Sequence, residues 1–316
     1  MKKIQIILLL MFFTGFAFAQ NPTVTPAPTA KTDTIKRKVK PIYSIFQQSE
    51  ENKLDKEKDM GKSEKNCAPE LPRVKSDDVI FAKRIIRDVY FADPANRYLV
   101  PADAGKNFID VLMKGVEGNK IEAYQQWDKN MGQLLEPIPQ EPGALKGILD
   151  SKVGSFGPRQ YGDSKVTSKL ALRIIEDWYF DTNRSEFKSF IIAMSIVYPG
   201  NNVLVSLSPE NKNLADPQIK LGEVGADMTP LFYLNYPTIR DYLCKFTVYH
   251  PNEKIRYTFD DVFQLRYFSS IIVEESNPQG NSLATNPDLK SGLDKLLEAD
   301  RIKKSLIQYE QDMWDQ

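Results

Sequence analysis

Two long runs of aliphatic, β-branched and aromatic residues, separated by a short polar segment, restrict the fold of this chain more than any other feature of its sequence. The first run spans residues 170–180 and the second spans 187–198, with the polar sequence Asp-Thr-Asn-Arg at 181–184 between them. β-Branched and aromatic residues favour strands, and polar residues of this kind favour tight turns. The pattern therefore predicts an antiparallel β-hairpin.

A second pattern predicts a helix at the start of the folded region. Ser76 is a favourable N-cap, Asp77 and Asp78 suit the positive end of a helix dipole, and Pro94 marks a stop. The apolar residues in between have the three-and-four spacing of one helical stripe. They are Val79, Ala82, Ile85, Ile86, Val89 and Tyr90.

Weaker patterns predict the other elements of an α+β fold, a single domain with a small antiparallel sheet flanked by helices. Strands are expected at 98–100, 120–124 and 231–236, and helices at 107–114, 259–273 and 289–314, while 238–243 favours neither state. Gly115 is expected to end the helix at 107–114, and the Pro- and Gly-rich stretch 131–163 is predicted to be an irregular loop. The last helix is amphipathic, with an apolar seam at Leu296, Ala299, Ile302, Leu306, Tyr309 and Met313.

The N-terminal quarter of the chain does not resemble a folded domain. Residues 1–19 have the basic start, apolar centre and small-residue end of a secretory signal peptide, with cleavage expected after Ala19. Gln20 follows, where a lipoprotein would need cysteine, so we expect a soluble exported protein with 40 basic against 42 acidic residues. Residues 20–75 are rich in Pro, Thr, Lys and Glu and predict a flexible polar arm, which leaves 76–316 as the domain.

The two cysteines, Cys67 and Cys244, leave two alternatives open. An exported protein meets an oxidising compartment, in which the pair can form a disulfide. The other interpretation is two separate thiols, with Cys244 in the core because its neighbours in Tyr-Leu-Cys-Lys-Phe are largely apolar.

The sequence offers no recognisable catalytic, cofactor or metal site. His250 is the only histidine, it sits in a loop-like stretch, and no Gly-x-Ser-x-Gly motif accompanies it. Two cysteines and one histidine cannot close a Cys/His zinc site, and no glycine-rich phosphate-binding motif is present. The adjacent acidic pairs at 77–78 and 260–261 suit helix starts better than acid–base catalysis.

Three segments in the last quarter of the chain give the sequence a family resemblance. They are the runs 256–263, Arg-Tyr-Thr-Phe-Asp-Asp-Val-Phe, and 266–270, Arg-Tyr-Phe-Ser-Ser, followed by Glu-Ser-Asn at 275–277. The chain resembles the GldN/PorN family of gliding motility and type IX secretion proteins. The opening segment 78–88, the strand at 176–181 and the ending 292–314 agree with the same family in order and spacing.

This resemblance implies a periplasmic, non-catalytic component of the secretion and gliding machinery. Its expected partners are a GldK/PorK-like outer-membrane lipoprotein, with which it would form a ring, and the periplasmic part of a GldM/PorM-like inner-membrane protein. The family supplies no catalytic residues and no cofactor. We selected interface candidates from the matched segments: Arg256, Tyr257, Arg266, Tyr267, Tyr309, Met313 and Trp314.

An alternative hypothesis is a periplasmic ligand-binding module or a hydrolase of a new kind. Such a protein needs a concave pocket with converging polar groups. The residues that could build one are His250, Asp260 and Arg266.

Overall fold

The structure is a computed structural model that describes residues 41, 43–44, 67–71, 74–101, 107–153, 170–199, 228–248, 256–277, 280 and 282–314. The described residues belong to one compact unit, Val39–Gln316. The predicted signal peptide, most of the predicted arm, residues 154–163 of the predicted loop, and His250 lie outside the described residues.

Seven strands within this part of the chain form one antiparallel sheet, which confirms the α+β prediction with a larger sheet than expected. The order across the sheet is β3-β2-β6-β5-β4-β1-β7. The strands are β1 (Val79–Tyr90), β2 (Ala123–Asp128), β3 (Gln133–Pro137), β4 (Ala171–Asp181), β5 (Glu186–Pro199), β6 (Met228–Asn235) and β7 (Ile271–Glu275).

The predicted hairpin forms the centre of this sheet. β4 pairs with β5 along their whole length, from Asp181 opposite Glu186 to Ala171 opposite Val197. The Asp181 carboxylate accepts hydrogen bonds from the amides of Asn183 and Arg184, which fixes the turn. β6, which had also been predicted, pairs with the outer edge of β5.

The helix predicted over 76–90 is wrong, because this segment is a 3₁₀ turn at Ser76–Asp78 followed by strand β1. β1 pairs with β4 and β7, and the C-terminal half of the strand is buried on both faces because apolar clusters pack on each side of the sheet. Ile85, Ile86 and Val89 are all buried, although the first two point to opposite faces. A strand that is buried on both faces loses its alternation, and its apolar residues then fall by chance at helical spacing.

Five α-helices accompany the strands in the described residues. They are α1 (Phe108–Glu117), α2 (Ala144–Val153), α3 (Tyr236–Leu243), α4 (Phe259–Gln264) and α5 (Gly292–Trp314). α1 begins as predicted, with the Asn107 side chain accepting from the Ile109 amide at 2.9 Å. It continues past Gly115 to Glu117, so this glycine does not end the helix. A Cβ atom at position 115 would meet Ile121 and Tyr242 at 2.8 Å, and the glycine therefore allows close packing.

Three further predictions need correction. The strand predicted at 98–100 is part of a second 3₁₀ helix, Pro94–Leu99, in which the Asp93 side chain caps the Ala95 amide at 2.9 Å. The stretch predicted as a loop from 131 contains β3 and α2, and the ambiguous segment 238–243 belongs to α3. The helix predicted over 259–273 ends at Gln264, and β7 follows after a turn.

The helices pack on the face of the sheet that carries the even-numbered residues of β4. Residues two apart in a strand share a face, so Leu172, Ile174, Glu176 and Trp178 lie on the same side. Leu172 and Ile174 belong to the largest apolar cluster, together with residues of α1, α2, α3 and α4. α5 covers a neighbouring part of the sheet through Ala299, Ile302 and Leu306. No helix in the described part of the chain has the length and apolar character needed to cross a membrane.

Candidate interaction surface

The turn after α4 exposes two large apolar side chains and directs the residue between them inward. Leu265 and Tyr267 are 52% and 49% exposed. The Tyr267 amide donates to the Val262 carbonyl at 3.0 Å, the hydrogen bond that closes a Schellman motif. Arg266 has a φ of 56°, in the left-handed region that glycine usually occupies at this position. The sequence has no glycine at this helix end, which explains why a helix was predicted over the whole of 259–273.

From this turn the Arg266 side chain reaches the centre of the sheet. Its Nε donates to Ser189 Oγ at 2.8 Å, and a terminal nitrogen donates to a carboxylate oxygen of Glu176. The guanidinium carbon lies 4.9 Å from the centre of the Trp178 ring, within cation–π range. A left-handed non-glycine residue costs on the order of 1–3 kcal/mol, and these contacts offset that cost.

Glu176 is a wholly buried carboxylate between the large apolar cluster and the region under α5. It accepts a hydrogen bond from the Trp178 indole and from Arg266. It also forms an ion pair with Arg87, whose Nε lies 2.7 Å from Glu176 Oε1. A buried carboxylate requires compensation of this kind, because losing its hydration without a partner costs several kcal/mol.

We call the group formed by Arg87, Glu176, Trp178 and Arg266 the arginine cluster. It contains two cations and one carboxylate. Arg87 also donates to Ser270 Oγ at 3.0 Å and lies 5.6 Å from the Trp178 ring centre. Burial lowers the pKa of Arg87 from its ordinary value; Glu176 opposes this shift and Arg266 adds to it. The cluster therefore carries one positive charge in excess.

Two further interface candidates lie beside the exposed turn. The rings of Tyr257 and Tyr267 meet edge to face with centres 5.2 Å apart. A hydrogen bond with Tyr267 is the first cause of a raised pKa at Tyr257. Tyr257 packs at the margin of the large apolar cluster, while Arg256 is exposed. The structure thus brings Tyr257 and Tyr267 into contact, with Arg266 next to Tyr267 in the same turn.

The remaining candidates lie on α5. Tyr309 is 39% exposed, and its ring centre is 4.9 Å from that of Phe81 on β1. Met313 is half-buried near the helix end, and the side chain of Trp314 lies outside the described residues. Tyr309 therefore docks the helix on the sheet as much as it faces solvent.

The outer face of α5 carries apolar residues that sequence reasoning missed. Leu293, Leu297 and Ile307 are 53%, 59% and 47% exposed. At 100° per residue they fall within one narrow arc, opposite the buried residues Ile302 and Leu306. Plotting both apolar stripes of the helix, rather than the stronger one alone, could have found them.

The pocket required by the alternative hypothesis is not assembled from Asp260 and Arg266. Asp260 is wholly buried and accepts from Arg240 Nε at 2.9 Å and from the Tyr236 hydroxyl at 2.7 Å. Arg266 is engaged by Glu176 and Ser189 instead. In the part of the chain that the structure describes, no three His, Cys, Asp or Glu side chains are grouped so that they could hold a metal ion.

Cys67 and Cys244 are joined by a disulfide in the structure, with Cα atoms 5.9 Å apart. Neighbouring polar contacts attach the same segment to α3. The Ala68 amide donates to Asp241 Oδ1 at 3.4 Å, and Arg240 donates to the Pro69 carbonyl at 2.7 Å. The segment 67–71 is therefore held on α3 by a covalent bond and two hydrogen bonds.

A comparison with protein families identifies the chain. The family model described as "Gliding motility associated protein GldN" matches residues 74–315. This chain belongs to the GldN family. A search of curated proteins gave no match.

The GldN match covers the sheet and all five described helices, including every interface candidate. It begins at residue 74, so Cys67 and the segment attached to α3 lie before the matched region. GldN is a family of gliding motility components and is not known as an enzyme family.

Proposed function

We propose that this protein is a non-catalytic structural subunit of the type IX secretion and gliding motility machinery. In this proposal it works in the periplasm, to which the leader at 1–19 would export it. It assembles into a ring with a GldK/PorK-like outer-membrane lipoprotein and contacts a GldM/PorM-like inner-membrane protein. The observation that carries the proposal is the GldN match across the whole described domain from residue 74.

Exposed apolar side chains on this domain support a role in protein assembly. Leu265 and Tyr267 project from the turn after α4, and Leu293 and Leu297 project from the outer face of α5. Grouped apolar side chains at a surface are a feature of binding sites for other proteins. Both groups lie on ordered secondary structure or on a fixed turn, which limits the entropy that binding would cost.

Two buried carboxylates in the described part of the chain are engaged in the fold. Asp260 is held by Arg240 and Tyr236, and Glu176 is held by Arg87, Arg266 and Trp178. Carboxylates engaged in this way stabilise packing between elements and have no exposed acid–base function. We therefore keep the structural role as the proposed function.

Co-expression tests this proposal directly. The mature chain is produced with the organism's GldK/PorK-like lipoprotein and, separately, with the periplasmic region of its GldM/PorM-like protein, and each mixture is purified through the partner. We expect a stable complex whose mass greatly exceeds that of one copy of each chain. A folded monomer that binds neither partner would overturn the proposal.

A pair of variants on α5 extends the same test. Leu293→Ser with Leu297→Ser removes two exposed apolar side chains and should leave the fold intact. Lys303→Ser with Asp312→Ser changes two exposed polar positions of the same helix that lie outside this apolar arc, and serves as the matched control. Weaker complex formation by the leucine variant alone would place a contact on this face.

A further inference from the structure

We propose that the turn 265–267, together with Tyr257, is a docking surface for a partner-protein segment that carries an Asp or Glu side chain. The carboxylate would bind Arg266, and apolar side chains beside it would contact Leu265 and Tyr267. This inference rests on the proposed function in that the partner is another protein of the assembly. It adds the chemistry that the partner must present.

The charge balance of the arginine cluster is the first argument. Arg87 and Arg266 share the single carboxylate of Glu176. Elsewhere on the sheet Arg84 pairs with Asp177 and Arg173 pairs with Asp88, one cation to one carboxylate. A surplus cation that has been partly removed from water gains from a second carboxylate more than a fully hydrated one does.

Arg266 can accept such a ligand because it is both anchored and accessible. Its side chain is 26% exposed, whereas Glu176 has no exposure at all. A guanidinium has five N–H donors, and the contacts to Ser189 and Glu176 in the described structure use two of them. The contact with Trp178 holds its plane in place, so binding a carboxylate would cost little side-chain entropy.

The surroundings of Arg266 match the composition of protein-binding hot spots. Arginine and tyrosine are enriched there, and apolar neighbours exclude water from the central contact. Leu265 and Tyr267 precede and follow the arginine in the chain, each with about half of its surface exposed. The Schellman motif and the ring contact with Tyr257 fix the position of Tyr267 before any partner binds.

The same features favour a protein carboxylate over the phosphate of a lipid headgroup. Anionic membranes attract groups of several lysines and arginines. The arginine cluster has a surplus of one positive charge, and the turn that carries Arg266 exposes two large apolar side chains. That combination fits one acidic side chain within an apolar segment.

Variants of Arg266, and of Leu265 with Tyr267, test the proposal in the co-purified complexes. Arg266→Gln removes the surplus charge and leaves Glu176 paired with Arg87. Arg84→Gln is the matched control, because Arg84 is 27% exposed, pairs with a buried carboxylate and lies 5.5 Å from the Trp127 ring centre. We expect Arg266→Gln to weaken binding roughly tenfold or more, and Arg84→Gln to leave it unchanged.

Leu265→Ser with Tyr267→Ser provides a second route that spares the buried ion pairs. It should weaken binding as Arg266→Gln does, with only a small loss of thermal stability from the ring contact with Tyr257, and it keeps the test valid if Arg266→Gln fails to fold. Wild-type affinity in the Leu265→Ser, Tyr267→Ser variant, or in a folded Arg266→Gln variant, would overturn the proposed docking surface. The proposed function would not be affected by that result.

Photo-crosslinking in the native cell identifies the ligand without assuming a partner. Tyr267 is replaced by p-benzoylphenylalanine, and the crosslinked peptide is sequenced by mass spectrometry. A protein segment that contains Asp or Glu, and whose acid-to-amide variant loses the crosslink, supports the inference even where neither proposed partner co-purifies. A crosslink to lipid, to a segment without a carboxylate, or to nothing overturns it.

Discussion

Arg240 of α3 and Asp260 of α4 form a buried bidentate ion pair, with Arg240 Nε and Nη2 each 2.9 Å from a carboxylate oxygen. The Tyr236 hydroxyl donates to the same carboxylate, and Gln264 donates to that hydroxyl at 3.0 Å. Arg240 also donates to the Pro69 carbonyl. One arginine therefore links two helices and the segment 67–71, which precedes the sheet.

Asp260→Asn should destabilise the protein severely, because it leaves Arg240 as an uncompensated buried cation. We expect the free energy of unfolding to fall by about 3–5 kcal/mol, measured by urea denaturation. Asp261→Asn is the control on the neighbouring residue. Asp261 belongs to the half-buried capping box with Thr258, where a loss of about 1 kcal/mol is typical. Equal losses in the two variants would contradict this account.

The Cys67–Cys244 disulfide should contribute measurably to stability, because it joins residues that are 177 positions apart in the chain. Replacing both cysteines with serine should lower the free energy of unfolding by about 2–4 kcal/mol. The same loss should appear when the wild-type protein is reduced, and the double variant should not respond to reductant. Limited proteolysis should then cleave near Cys67 faster, since the segment is then held by the hydrogen bonds to Arg240 and Asp241 and by the packing of Leu71, without a covalent bond.

The sequence predicted the elements whose signals are local. The central hairpin follows from two β-rich runs and the Asp181 turn, and the start of α1 follows from the Asn107 cap. β1 was mistaken for a helix because burial on both faces hides the alternation of its residues, and that burial is set by distant partners. The end of α4 was missed because Arg266 takes the conformation expected of glycine.

The candidate surface was only partly predictable for the same reason. Arg266 and Tyr267 were selected from a family resemblance, but the burial of Glu176 and the second cation, Arg87, depend on strand register and on contacts across 90 residues. The exposure of Leu265 depends on the same turn that ends α4. No spacing rule within one segment contains this information.

Two isoleucines on α5 test how the helix is attached to the sheet. Ile302 is 3% exposed and packs with Ile85 and Ile272, while Ile307 is 47% exposed on the outer face. Ile302→Ala should cost about 2–5 kcal/mol by removing buried contacts and leaving a cavity. Ile307→Ala makes the same chemical change and should stay within about 0.5 kcal/mol. Equal costs in urea denaturation would show that α5 is not docked through this seam.

Two buried tyrosines should make the protein less stable in strong alkali. Burial raises the pKa of Tyr179 and of Tyr233 from 10.0 to about 12. Both rings stay protonated in either state below pH 10, so their full contribution to stability is present there. Between about pH 10 and pH 12 the unfolded chain releases these protons first, and stability falls as pH rises. Tyr233→Phe should flatten this fall in denaturation measured at successive pH values, and an unchanged slope in this variant would contradict the account.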